Sequence, residues 1–278
     1  MKVAITGASG YVGGCLSDGF RKHGHEVIAL SRRPCAPPWT SFSLGDDPHR
    51  LPWASVEVLI HAAYDFTAQT WQEFIEKNVD PSIALLKAAR QAGVGRLIFI
   101  SSMSSFEGCR SNYGKAKLMI EKEALAIGAL VIRPGLVWGE HSGGVMGTLE
   151  TLVTKLPVVP FLIGGRNTNQ YLIHETDLSK AVVAFAEKPP INIGHLHSAT
   201  HPIPVSLLTI LKSIAQRSRK SRLYLPIPWQ LAMAGLMSVE TLGIHPLFRS
   251  DSLTGLVHGN PHPANPTPPA GVTYRPFI

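Results

Sequence analysis

Charge is sparse in this 278-residue chain: 16% of residues are Asp, Glu, Lys or Arg, against about a quarter in an ordinary soluble domain. The scarcity implies a large buried area or a surface covered by partners. Cysteine is scarcer still. Cys15, Cys35 and Cys109 are odd in number and have no metal-ligand spacing. That argues against a disulfide framework and for a reducing compartment, the cytoplasm. Long apolar runs are absent too. The most apolar late stretch, Trp229 to Phe248, is broken by Gln230, Ser238, Glu240 and His245. It reads as a core or interface helix rather than a span, and no membrane partner is expected. Met1 leads straight into an apolar strand, so no signal peptide is expected. The only dense basic run, Arg217 to Arg222, has no nucleic-acid-binding motif around it. A solvated helix end is the better reading, and nucleic acid is not expected as a partner. His195, His197 and His201 lack Cys or acidic neighbours at ligand spacing, so no metal is expected. There is no internal repeat.

What the chain has is hydrophobic content of 45% and a net charge of +7. The charge favours anionic ligands, such as a phosphorylated cofactor or a nucleotide-linked substrate. Apolar strands read at 2–6, 26–30, 57–61, 96–101 and 129–133, with a weaker one near 41–44. Helices read at 11–23, about 70–92 and 112–127, and beyond them at 143–155, 176–187, 204–217 and 228–241. Alternation of strand and helix predicts an α/β fold, a doubly wound parallel sheet with helices on both faces. Ligands then bind outside the carboxyl ends of the strands. Gly7, His61, Ser102 and Arg133 fall at four such ends. The tail, Gly259 to Pro276, is proline-rich and is expected to run extended over the surface.

Between the first strand and first helix runs Thr6-Gly7-Ala8-Ser9-Gly10-Tyr11-Val12-Gly13. A glycine turn there lets backbone N–H groups approach a pyrophosphate, which the helix dipole favours. A second motif, Tyr113-Gly114-Lys115-Ala116-Lys117, places a tyrosine and a lysine on one helix face. An ammonium beside a phenol favours the phenolate and lowers its pKa toward a value suited to proton transfer.

Together these motifs resemble the short-chain dehydrogenase/reductase superfamily, in its extended, sugar-nucleotide epimerase/dehydratase-like branch. The resemblance covers roughly residues 1–185. Gly7, Gly10 and Gly13 resemble the cofactor turn, with Tyr11 and Val12 inside it. Ile60-His61-Ala62-Ala63 resembles the strand end beside the cofactor. Asn78-Val79 resembles the asparagine of the middle helix, and Arg96 to Ser102 the strand leading to the catalytic serine. Arg133-Pro134-Gly135-Leu136-Val137-Trp138-Gly139 resembles the segment flanking the nicotinamide, and Tyr171 to Leu178 the one that closes the substrate pocket. The resemblance implies a Rossmann core over 1–140, with 171–187 returning to it. Residues 141–278 would then be mainly a smaller, mixed substrate-binding part.

By the same resemblance Tyr113 is the general acid/base and Lys117 holds the nicotinamide ribose. A serine orients the substrate carbonyl. The family's Ser/Thr position falls on Met103, which cannot donate a hydrogen bond. Ser102, Ser104 and Ser101 are the candidates in that order. Tyr113 comes only eleven residues after Ser102, a shorter loop than the family usually has. The places of the dehydratase acidic pair hold Ser104 and Ser105, which argues against 4,6-dehydratase chemistry. The arginine that commonly contacts a substrate diphosphate aligns with Gln170, with Arg166 nearby as a substitute. The second strand ends in Ser31, Arg32 and Arg33 rather than a carboxylate, which favours NADP over NAD, since a guanidinium grips a 2′-phosphate. Asp46 resembles an adenine-contacting aspartate, and a turn role in Asp46-Asp47-Pro48 is the alternative. His61 is expected to be structural. Helices 70–92 and 112–127 are the candidates for a homodimer seam. The expected function is an NADP-dependent oxidoreductase or epimerase acting on a carbonyl or secondary alcohol, with a nucleotide sugar as one such substrate. The alternative is a dinucleotide-binding sensor without turnover, which Met103 and the short loop support.

Overall fold

The apolar runs of the first half are short and apolar on both faces, which suits strands buried between two helical layers. In the computed structural model, which describes all residues except 141, 166–167, 189–193, 243–245, 247, 261 and 265, they form β1 (Lys2–Thr6), β2 (Glu26–Ser31), β3 (Trp39–Ser41), β4 (Val58–His61), β5 (Arg96–Ile100) and β6 (Leu130–Pro134). The helices between them are α1 (Tyr11–Lys22), α2 (Trp71–Phe74), α3 (Asp80–Gln91) and α4 (Asn112–Ala126). There follow β7 (Leu136–Trp138), α5 (Gly144–Lys155), β8 (Val158–Ile163), β9 (Asn169–Gln170), β10 (Leu172–His174), α6 (Glu175–Glu187) and β11 (His195–Ala199). The chain closes with β12 (Val205–Ser206), α7 (Leu207–Arg217), β13 (Leu223–Pro228), α8 (Trp229–Thr241) and α9 (Ser250–Val257).

Seven strands pair in parallel in the order β11-β6-β5-β4-β1-β2-β3. This is the Rossmann order with β11 added beside β6. Successive side chains of a strand point to opposite faces, and two separate cores follow. Ala4, Leu59, Leu97, Phe99 and Val131 pack under α3 and α4, with Leu85, Leu86, Ala116 and Ile120. Val3, Ile5, Ile60, Ile98 and Ile132 pack under α1 and α6, with Leu16, Phe20, Leu178 and Val182. Each fully buried Leu, Ile or Phe contributes about 1.5–3 kcal/mol over its exposed state. A third core joins α5, α7 and β8 through Leu149, Val153, Val159, Ile210 and Ile214.

Several elements differ from expectation. The weak third strand lies at Trp39–Ser41 rather than 41–44. Strands β8, β11 and β13 and helix α9 are additions. The tail is not simply laid over the surface. Tyr274 and Phe277 are buried, 5% and 4% exposed. The Tyr274 hydroxyl bonds His197 Nε2 at 3.0 Å, and Arg275 grips buried Asp177 with Nη2–Oδ1 at 2.6 Å. Two aromatic side chains among the prolines supply the burial that composition averages away.

Candidate active site

The glycine turn owes its shape to close backbone approaches. Gly7 has φ +70°, and a Cβ there would stand 2.9 Å from the Ala63 backbone. A Cβ on Gly13 would stand 2.2 Å from the Gly7 carbonyl oxygen. The Thr6 hydroxyl accepts from Ala62 N (3.1 Å) and Ala63 N (3.2 Å), which ties the ends of β1 and β4 together. Gly10 begins α1 with no side-chain cap, and the first turn carries no acid. The N–H groups at that helix end therefore remain available to an anion. Val12 packs against the core under α1. The Tyr11 side chain leaves the turn: its hydroxyl donates to Glu175 Oε2 at 2.8 Å, and its ring lies against Gly143. Burial, then the Glu175 bond, pushes the Tyr11 phenol far up.

His61, fully buried, bonds Thr6 Oγ1 through Nδ1 at 2.8 Å and stacks on Phe99. Burial, then the charge of Lys117, pushes it down to about 3. It is a neutral wall residue. Asn78 lies in a π turn, Ile75–Val79. It accepts from Asp65 N (2.7 Å) and donates to Asp65 O (3.0 Å), which holds the loop after β4. Such turns are frequent at functional sites.

Beyond β5 the three candidate serines part ways. Ser101 donates to Glu121, which forms a buried two-pronged ion pair with Arg133, its Nε–Oε1 contact 2.8 Å. Ser104 offers its N–H to Ser102 Oγ at 3.1 Å. Ser102 is the one of the three that acts on the Tyr113 phenol, where it opposes the rise in its pKa. The short loop closes because of Gly114: a Cβ there would lie 2.2 Å from the Ser104 carbonyl oxygen, so only glycine lets the loop meet α4. Met103 is buried and donates N–H to the Pro134 carbonyl at 3.1 Å. Leu136 N donates to Tyr171 O at 2.8 Å.

Here the expected electrostatics are corrected. Burial pushes the Tyr113 phenol up to about 12, with only Ser102 opposing. Lys117 does not lower it. Its ammonium donates to the Ile100 carbonyl at 2.9 Å and lies 4.8 and 4.7 Å over the Tyr64 and Phe99 rings. Burial pushes Lys117 itself down to about 7, opposed by Glu121. The lysine spends its charge on a carbonyl and two aromatic faces.

Tyr64, Phe66 and Tyr113 form an aromatic wall, with centroids 4.9–6.1 Å apart. The Phe66 ring is 70% exposed. A cavity of about 60 Å³ opens between Ser102, Pro134, Gln170 and Tyr171. A larger, open hollow of about 510 Å³ lies near Trp53, Glu57 and Arg96. It sits at the amino ends of β4 and β5, the wrong end of a parallel sheet for a ligand crevice.

At the end of β2, Ser31 donates to Arg33 O (2.6 Å) and accepts from Trp39 Nε1 (3.0 Å). It shapes the loop. Arg32 and Arg33 are exposed, with Arg32 Nη1 3.6 Å from Asp65 Oδ2. Asp46 accepts from Ser43 N, and Asp47 caps the short helix Pro48–Arg50, both turn roles. Gln170 donates to Leu256 O at 2.9 Å. Arg166, its expected substitute, lies outside the described residues.

The model of the NAD-dependent epimerase/dehydratase family matches residues 3–194. The chain belongs to that family. A ceramide reductase from Caulobacter vibrioides is 32% identical over 205 residues, 70% of this chain and 63% of that protein. This chain thus spans less than two thirds of that relative's length. UDP-glucose 4-epimerase from Vibrio cholerae is 25% identical over 260 residues, 81% of this chain and 78% of that one. The solved UDP-glucuronic acid 4-epimerase of Bacillus cereus, in complex with NAD, shares the fold with TM-score 0.69. It is 19% identical, over 82% of this chain and 88% of that one. The family's members thus include both epimerases and reductases. The family's dinucleotide fits the residues present, because a Cβ would fill the cradle at Gly7 and Gly13 and the start of α1 is uncapped.

Sequence reasoning misses Asp251. Its carboxylate, from α9, accepts from Asn112 N (2.6 Å) and Tyr113 N (3.0 Å), clamping the first turn of α4. Phe66 and Tyr64 are missed as well. Their sequence signal, aromatics just after Ala62-Ala63, was available. Asp251 gave none, 138 residues from Tyr113.

Proposed function

We propose that this chain is an NADP-preferring oxidoreductase or epimerase in which Tyr113 moves the proton on a carbonyl or secondary-alcohol oxygen. The observation that carries the reading is the glycine turn after β1, packed on the Ala63 backbone and uncapped at the start of α1, at the same edge of the sheet as Ser102 after β5. When bound, the nicotinamide supplies hydride transfer. Gly7, Gly10 and Gly13 leave room for its pyrophosphate, and Ala62, Ala63, Asn78, Pro134 and Leu136 shape the walls. A phenol near 12 is a proton donor at neutral pH, and Ser102 steadies the charge that develops on the substrate oxygen. The exposed Phe66 ring and the narrow cavity suit a carbonyl bearing an apolar group, which the relative named for ceramide supports. A nucleotide sugar is the second reading, favoured by the relative named for UDP-glucose.

NADP is read from this chain's own Arg32 and Arg33. NADPH and NADH titrated in parallel by calorimetry test it. NADPH should bind more tightly, and Arg32→Ala should weaken NADPH roughly tenfold or more while sparing NADH. Equal losses would refute the clamp. Tyr113→Phe should keep NADPH affinity and lower turnover roughly a hundred- to ten-thousandfold. Unchanged turnover would remove Tyr113 from the chemistry.

A further inference from the structure

Helix α8 is apolar on both sides, and none of its residues is buried. Its inward side, with Trp229, Met233, Leu236 and Val239, is half-buried. Its outward side carries Leu231 and Met237, 67% and 54% exposed, and Leu242 just past its end is 77% exposed. The outward positions between them hold no charge. The preceding strand β13 pairs in parallel with β8, and their solvent face adds Val158, Leu223 and Leu225, 42%, 71% and 52% exposed. Exposed apolar side chains grouped on neighbouring elements mark a contact with a protein or a membrane.

Charge selects the occupant. Residues 205–245 contain five basic side chains, Lys212, Arg217, Arg219, Lys220 and Arg222, and one acid, Glu240. Glu240 is held by the N–H and hydroxyl of Ser250. Arg217 and Arg222 turn onto the carbonyls of Phe277 and Val153. Arg219 and Lys220 remain exposed just ahead of β13. Lys155 is exposed just ahead of β8. The register Leu223↔Val158 brings these three to the same end of the two-stranded ribbon. The apolar patch therefore has a basic rim. Two copies packed through this face would crowd like charges. An anionic lipid surface satisfies both parts, phosphates against the rim and acyl boundary against the apolar side chains.

We propose that this face seats on an anionic lipid surface. The contact is peripheral, since no helix among the described residues is long and apolar enough to cross a membrane. It goes beyond the expectation of no membrane partner, and it stands whether or not Tyr113 is catalytic.

Flotation of the full chain with vesicles tests it. One set holds equal parts phosphatidylcholine and phosphatidylglycerol, the other phosphatidylcholine alone. The protein should float with the mixed vesicles and much less with the neutral ones. Arg219→Ala with Lys220→Ala should lower binding to the mixed vesicles by roughly twenty-five-fold, at about a fivefold loss per charge. Leu231→Gln with Met237→Gln should also release the protein. All four side chains are exposed, and unchanged circular dichroism would show that the variants fold. No flotation, or flotation unchanged in both variants, overturns the proposal. So does a dimer in light scattering that the Leu231/Met237 variant splits while vesicles fail to bind.

Discussion

Tyr113 keeps its proton at neutral pH because burial outweighs every favourable contact to its phenolate. Ser102 is the single partner that opposes this. Ser102→Ala should therefore raise the phenol further, moving the basic limb of the pH–rate profile upward and lowering kcat at least tenfold, a size usual for a lost oxyanion contact. Ser104→Ala should leave that limb in place, because its N–H, not its hydroxyl, meets Ser102. A shared shift in both variants would reassign the role. The Y-x-x-x-K spacing made Tyr113 and Lys117 legible from sequence. The choice among Ser101, Ser102 and Ser104 was not, because it depends on how the chain turns after β5 and on which hydroxyl Glu121 captures.

At the scale of elements, α9 holds the helix that bears Tyr113. Its Asp251 carboxylate meets two N–H groups at the start of α4, where negative charge and acceptors are both favourable. Asp251→Ala should cost about 1 kcal/mol of stability, read as a lower midpoint in urea. If Asp251 positions Tyr113, kcat should fall severalfold with NADPH affinity unchanged, and Asp251→Asn, which keeps one acceptor, should recover part of it. A stability loss with kcat intact would make the contact purely structural. Neither α9 nor the β8–β13 ribbon was legible beforehand. Ser250–Val257 is a short helix containing Gly255, and both ribbon strands contain proline, Pro160 in one and Pro226 and Pro228 in the other. Proline argues against a central strand, and such segments survive only at edges or in narrow ribbons.

For the molecule as a whole, buried histidines set the acid limit. Burial pushes His61 down to about 3 and His197 to about 4, from an ordinary 6.5. Between pH 6.5 and those values the unfolded chain binds protons that the native chain refuses. Stability therefore falls as pH falls through that window. Thermal midpoints measured from neutral pH downward should drop steeply below 6.5. His197→Gln, which stays neutral and can still meet Tyr274, should flatten part of that slope. An unchanged slope would place the acid sensitivity elsewhere.

The parallel sheet, the glycine turn and the Tyr113–Lys117 face followed from patterns a few residues long. Period, turn chemistry and helix spacing are local, and nothing distant overrode them. Tertiary structure alone decided that Glu121 takes the Ser101 hydroxyl, that burial raises the Tyr113 phenol, that Asp251 closes on α4, and that Tyr274 and Phe277 tuck the tail inward. Each of these depends on desolvation by many neighbours or on contacts between residues far apart in the chain, and neither quantity is written in a local pattern.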